Sequence, residues 1–219
     1  MQKSLQFLRQ LKKNNNREWF EENKALYLEA KSEFEDFVDA LLKGICRFDK
    51  SMSHDLKAKD CVFRIYKDVR FSKDKSPYKT NMGASMNPGG KRSLLAGYYF
   101  HLSPGESFVA GGVYMPEPAV LQAIRQEIDY HPQPLLKTLK AASFKKHFKG
   151  FDEEDQLKTM PKGFDKDHPQ AALLRNRHFV VSKVISDKTL GSKDLLKNSL
   201  EAYKAMLPLL QYLRAATSA

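Results

Sequence analysis

An α+β fold is what this chain predicts: one domain over 1–219, an antiparallel sheet flanked by helices, a long N-terminal helix and a C-terminal helix. Three observations carry the prediction. Apolar residues recur at helical spacing from Arg17 to Lys43. Short β-rich segments separated by Gly and Pro fill the stretch from Cys61 to Tyr114. Helical spacing then returns from Pro118 to Leu213. Strands and helices that occur in separate runs, not in alternation, point to α+β and away from a parallel sheet.

The elements follow in order. Leu5, Phe7, Leu8 and Leu11 mark a short amphipathic first helix, broken at Asn14-Asn15-Asn16. Asn15 with Glu18 reads as a capping-box variant that opens the long helix, Arg17–Lys43. Phe20, Tyr27, Phe34 and Leu41 form its buried stripe. Trp19 in its first turn reads as a core anchor. Residues 49–60 are polar and read as a loop. Phe63 and Ile65 alternate with Arg64 and Tyr66, the period of a half-buried strand over Cys61–Tyr66. Gly83–Met86 is a weaker strand. Tyr98–Leu102 and Phe108–Tyr114 form a hairpin, joined by Ser103-Pro104-Gly105-Glu106 in a type II turn. Gly111-Gly112 inside a strand implies a bulge or a close backbone approach. Tyr114 reads as core.

Pro118 opens a helix to Tyr130. Pro132–Lys140, Phe144–Phe148 and Ala171–Arg175 are shorter helices, and His178–Ile185 is a β-branched strand. Asp194–Leu213 closes the chain, with Pro208 expected to kink it. Length and 42% hydrophobic content suit a sizeable core. The sequence contains no apolar run long enough to span a bilayer and no secretory signal pattern, so no membrane partner is expected. Cys46 and Cys61 read as free buried thiols of a cytoplasmic protein.

The net charge is +11, which favours an anionic partner. Lysines between Lys137 and Lys166 lack interleaved aromatics and read as solubilising. The segment 63–81 is different. Arg64, Lys67, Arg70, Lys73, Lys75 and Lys79 alternate with Asp68 and Asp74, among the rings of Tyr66, Phe71 and Tyr78. Three readings compete for it. Arg64, Asp68, Arg70, Lys73, Tyr78 and Lys79 line one polar surface that binds a small anion, joined by Arg175 and His178, with His178 and Asp68 as candidate acid–base groups. Alternatively Arg64–Asp68 and Arg70–Asp74 pair as a structural lattice in a protein-interaction module. Or the surface binds nucleic acid by stacking, which the interleaved acids disfavour. His101 reads as a surface or half-buried residue, not a ligand. No metal, nucleotide-cradle or nucleophile-elbow signature occurs, so no metal or cofactor is expected, and whether the protein is an enzyme stays open.

Four stretches carry a resemblance: Asn14-Asn15-Asn16-Arg17-Glu18-Trp19-Phe20, the segment from Phe63 to Thr80, Gly111-Gly112-Val113-Tyr114-Met115-Pro116-Glu117, and Pro161-Lys162-Gly163-Phe164-Asp165-Lys166-Asp167-His168-Pro169. In order and over almost the whole chain, they resemble family 2461 of the domains of unknown function. The resemblance implies a soluble intracellular protein and one full-length domain. It implies no activity or site residue.

Overall fold

A computed structural model describes residues 1–70, 73–152 and 155–217. Helices α1 (Gln2–Lys13), α2 (Arg17–Glu22) and α3 (Lys24–Ile45) lead into a short α4 (Ala58–Cys61). Strands β1 (Met82–Met86), β2 (Gly97–Leu102) and β3 (Ser107–Val113) follow. Then come α5 (Pro118–Tyr130), α6 (Pro132–Lys140), α7 (Ala142–Lys145) and α8 (Ala171–Leu174). Strand β4 (Phe179–Ile185), α9 (Asp187–Leu190) and α10 (Leu195–Ala216) complete the chain. The four strands form an antiparallel sheet in the order β1-β2-β3-β4. The α+β expectation holds.

The long helix is two helices. Asn23 ends α2, because its backbone N–H and its side-chain amide both donate to the Trp19 carbonyl, at 3.0 and 2.9 Å. The chain then restarts as α3. Asn16, not Asn15, caps α2, accepting from the Trp19 N–H at 2.9 Å. The expected stripe is otherwise sound: Phe20, Phe34 and Leu41 are buried, and Tyr27 packs half-buried against the core. Phe34 and Phe37 meet the β2 ring of Phe100 at 6.2 and 4.9 Å between centroids, which seats α3 on the sheet. Trp19 is only half-buried, its ring 6.2 Å from that of Phe7.

The hairpin β2–β3 forms as expected. Glu106 N–H donates to the Ser103 carbonyl at 3.1 Å, and Gly105 takes φ +80°, the conformation the third residue of a type II turn requires. Gly111-Gly112 lies in continuous register with both neighbours, so the close-approach alternative is the one realised. Helix α10 runs through Pro208, whose side is exposed, and buries Tyr203, Met206, Leu210 and Leu213. Both cysteines are buried and free.

The expected strand over Cys61–Tyr66 is not a strand. Cys61 ends α4, and only two isolated bridges follow, Val62 with Ala84 and Tyr66 with Tyr78. The physical reason is that the segment serves two partners in turn. Phe63 N–H donates to Gly83 beside β1, then the chain peels away and pairs with itself, Lys67 N–H to Pro77 and Lys79 N–H to Ile65. The segment thereby covers the free edge of β1. Asp152 N–H, donating to Val180 at 2.9 Å, occupies the start of the outer edge of β4. Covered edges prevent strand addition by another chain.

Candidate functional site

Register sorts the sheet into two faces. Tyr98, Phe100, Val109, Val113, Phe179 and Val181 are buried on the face against α3 and α10. The opposite face presents Gly83 and Ser85, then Gly97, Tyr99 and His101, then Phe108, Ala110 and Gly112, then Val180, Ser182 and Val184. This second face is the floor of a groove of about 1490 Å³. Its walls are Asn87 and Ser93–Leu95 on one side, and residues 114–117 and 149–152 on the other.

Small residues leave space above the floor at one end, and three rings fill the other. His101 stacks on Phe108 at 4.6 Å and 9°, with Tyr99 5.8 Å from Phe108. The Tyr99 hydroxyl is hydrogen-bonded to His101 Nδ1 at 3.0 Å. Burial, with the Tyr114 phenol nearby, pushes Tyr99 up to about 12, so it stays protonated. Burial also lowers His101. Asn87 builds the wall: its Nδ2 donates to the carbonyls of Ser93 and Leu95, at 3.2 and 3.1 Å, and its Oδ1 accepts from Ser85 Oγ at 2.9 Å.

His178 sits at the far wall. Its Nδ1 accepts from the Met115 N–H at 3.0 Å, and its Nε2 donates to Asp155 at 3.1 Å. Both ring nitrogens are thus in use. The imidazole acts as a clamp on a turn in which Met115 has φ +48°, an uncommon conformation for a non-glycine residue. That turn carries Tyr114 outward. Tyr114, expected in the core, is 73% exposed, with its ring 5.0 Å from His178.

The expected site residues fall into separate places. Asp68 and Arg70 do meet: Arg70 Nε and Nη2 fork onto the Asp68 carboxylate at 3.0 and 2.7 Å, and this hydrogen bonding lowers Asp68 to about 2. Asp74 pairs with Lys67, not with Arg70, and accepts from the Ser76 N–H and hydroxyl, both at 2.9 Å. Lys79 Nζ donates to the Arg64 carbonyl at 3.1 Å and lies 5.7 Å from the Phe63 ring, a lining residue of the groove. Arg64 and Lys73 are exposed and make no side-chain hydrogen bond among the described residues. Tyr78 is buried, stacked on Phe20 at 4.0 Å and 13°. Arg175 and His178 flank the start of β4, at the other edge of the sheet from this hairpin. Phe71 lies outside the described residues.

Asn15 ties the hairpin down. Its Nδ2 donates to the Tyr78 carbonyl at 2.9 Å and its Oδ1 accepts from the Tyr78 N–H at 3.1 Å, a side chain standing in for a neighbouring strand. Asn15→Ala should cost about 1–3 kcal/mol, the penalty of leaving half-buried backbone groups unpaired. Urea unfolding measures it.

Among the described residues no group of three or more His, Cys, Asp or Glu side chains could hold a metal, and no helix is long and apolar enough to cross a membrane. Sequence reasoning passed over the groove because its floor is assembled from residues on four separate strands, several of them glycine, serine or alanine, that only strand register brings together. Two signals pointed to it, Gly111-Gly112 and the His101 next to Tyr99. No curated protein and no solved structure matches the chain. A family profile does match, over residues 3–212, under the description conserved hypothetical protein. With nearly its whole length matched, the chain belongs to the family DUF2461.

Proposed function

We propose that the chain is a single-domain binding module, and that the groove on the open sheet face takes an extended, largely apolar polypeptide segment. One observation carries this reading. Of the nine large apolar side chains exposed among the described residues, five line this groove: Phe63, Leu94, Tyr114, Met115 and Val184. Scattered exposed apolar residues need no explanation, but a concentration around one concavity marks an interaction site. The volume exceeds the roughly 300–1,000 Å³ of small-molecule pockets, which favours an extended occupant. The charged lining mixes Lys149 and Lys183 with Glu117, Asp152 and Asp155. Mixed signs suit a polypeptide and disfavour nucleic acid. The two free buried thiols support a cytoplasmic setting.

The test is selection of displayed decapeptides on the wild-type protein, with counter-selection on Leu94→Glu/Tyr114→Glu. Both positions are exposed, so the variant should fold. Peptides with apolar residues at alternate positions should emerge and bind at least tenfold more weakly to the variant. If no recovered peptide discriminates between the two proteins, the groove reading fails.

A second reading keeps the 63–81 hairpin as a binding surface for a small anionic ligand. The observation that favours it is the pair of cations, Arg64 and Lys73, whose side chains make no hydrogen bond among the described residues.

A further inference from the structure

We propose that the outer edge of β4 takes the partner segment as an added strand, bonded through the main chain of Ser182 and Val184, and that this segment alternates apolar and acidic residues. The inference rests on the polypeptide reading of the groove and names what holds the polypeptide there.

Strand β4 is the last of the sheet, so one of its edges has no strand beside it. Backbone groups point to alternate sides along an antiparallel strand. The Val180 carbonyl accepts from Asp152 on the outer side, so Ser182 and Val184 also turn their N–H and C=O outward. The chain itself begins to cover this edge. Asp152 N–H reaches Val180, Gln156 bridges antiparallel to Asn176, and Leu157 N–H donates to Arg175 at 2.8 Å. The covering stops at Asp152. Among the described residues, no main-chain bond outside the β3–β4 ladder reaches Ser182 or Val184. Two rungs stay open in line with an existing neighbour, and open rungs are a template for another chain.

The groove reaches this edge. Ser182, Lys183 and Val184 all border it, although successive residues point to opposite faces. The groove therefore runs over the edge of β4, where an added strand would lie.

The side chains define the occupant. Val184, 75% exposed, stands in one cross-strand row with Phe108 and His101. A residue added beside Val184 extends that row and is apolar. Lys183 is the one charge in β4, hydrogen-bonded to His147 Nδ1 at 3.0 Å. Burial, then Lys183 and Lys146, lower the His147 pKa against Glu201, so two cations meet one carboxylate here. Opposite charges across strands stabilise and like charges destabilise, so the residue added beside Lys183 is acidic. The same rule disfavours a second copy of this chain. A two-fold pairing through both open rungs sets Lys183 against its own copy.

The experiment selects displayed random decapeptides on the wild-type protein, with counter-selection on Val184→Pro. The Val184 N–H points outward, so proline there removes an edge donor and leaves the pairing with β3. Recovered peptides should carry an acidic residue between two apolar ones and bind Val184→Pro at least tenfold more weakly. Main-chain bonds supply the affinity in strand addition. Synthetic copies with alternate backbone nitrogens methylated should therefore lose at least tenfold in one phase and little in the other, a readout on the unaltered protein. Peptides that discriminate Leu94→Glu/Tyr114→Glu, yet bind Val184→Pro as well as the wild type and respond equally to the two methylation phases, overturn the edge and leave the groove reading standing. Peptides that need the edge but not Leu94 and Tyr114 do the reverse. Recovery of no peptide that discriminates either variant overturns both.

Discussion

Asp49→Ala should destabilise the protein by about 3–5 kcal/mol, the usual cost of removing one partner from a buried ion pair. Asp49 is 2% exposed. Its Oδ2 accepts from Arg214 Nη1 and from the Tyr98 hydroxyl, each at 2.8 Å, and its Oδ1 from the Ser51 N–H and hydroxyl at 3.1 and 2.7 Å. Arg214 Nε also donates to the Ala96 carbonyl at 2.8 Å. The carboxylate thus joins the end of α10, the loop after α3 and strand β2 behind the groove. Its loss takes the carboxylate away from the buried Arg214 guanidinium and removes the acceptor of the Tyr98 hydroxyl. Urea unfolding should show the loss, and Asp49→Val/Arg214→Met should lose less than the two single replacements summed, because neither partner is left alone.

The same carboxylate sets an acid limit. Burial pushes its pKa up, but hydrogen bonds from Ser51, Arg214 and Tyr98, with the Arg214 charge, outweigh burial and hold it below the usual carboxylate range. A depressed folded pKa means that the contribution is fully present above the unfolded value of about 3.9. It drains away as pH falls through the folded value. The stability gap between wild type and Asp49→Asn should therefore narrow below about pH 4. A gap constant from pH 7 to pH 3 would remove Asp49 from the acid transition.

Much of this architecture was legible because local chemistry and tertiary packing agreed. Pro118 and Pro132 start α5 and α6 where a missing N–H costs nothing. Pro104-Gly105 forces the hairpin. The misread segments are those where local pattern and partner diverge. Phe63 and Ile65 imitate one strand face, yet Phe63 is exposed and Ile65 buried, because the chain changes partner between them. Asn23 has the same helical spacing around it as its neighbours, and only its side-chain bond to Trp19 reveals the break. Tyr114 follows a buried strand, so it reads as core, but the Met115 turn clamped by His178 rotates it out. The candidate site was less legible still. Charge drew attention to 63–81, where most charged groups bond within the hairpin, whereas the groove floor is built from uncharged strand residues and His101 that only strand register gathers.

Gly112→Ala should be the most damaging substitution in the sheet, costing about 3 kcal/mol or more, while Gly111→Ala beside it should cost about 1–3 kcal/mol. The difference is one of what each new methyl would strike. At Gly112, φ is +135°, a conformation that L-residues avoid. An added Cβ there falls on the Phe179 carbonyl oxygen and within 2.9 Å of the Val180 Cα. Both are backbone atoms of β4, held in register by pairs on either side, so relief requires the β3–β4 ladder to part. At Gly111 the new Cβ meets the Met206 sulfur, the far end of a flexible side chain that can rotate, and then the Gly97 carbonyl at 3.1 Å. The consequence reaches the groove, because Gly112 is part of its floor and the next turn carries Tyr114 and Met115. Thermal melts should rank Gly112→Ala well below Gly111→Ala. Hydrogen exchange should place the loosening in the β3–β4 amides, with the β1–β2 pairing retained. Equal melting temperatures for the two variants would mean that β4 is free to shift, and the groove wall it holds would then not be preformed.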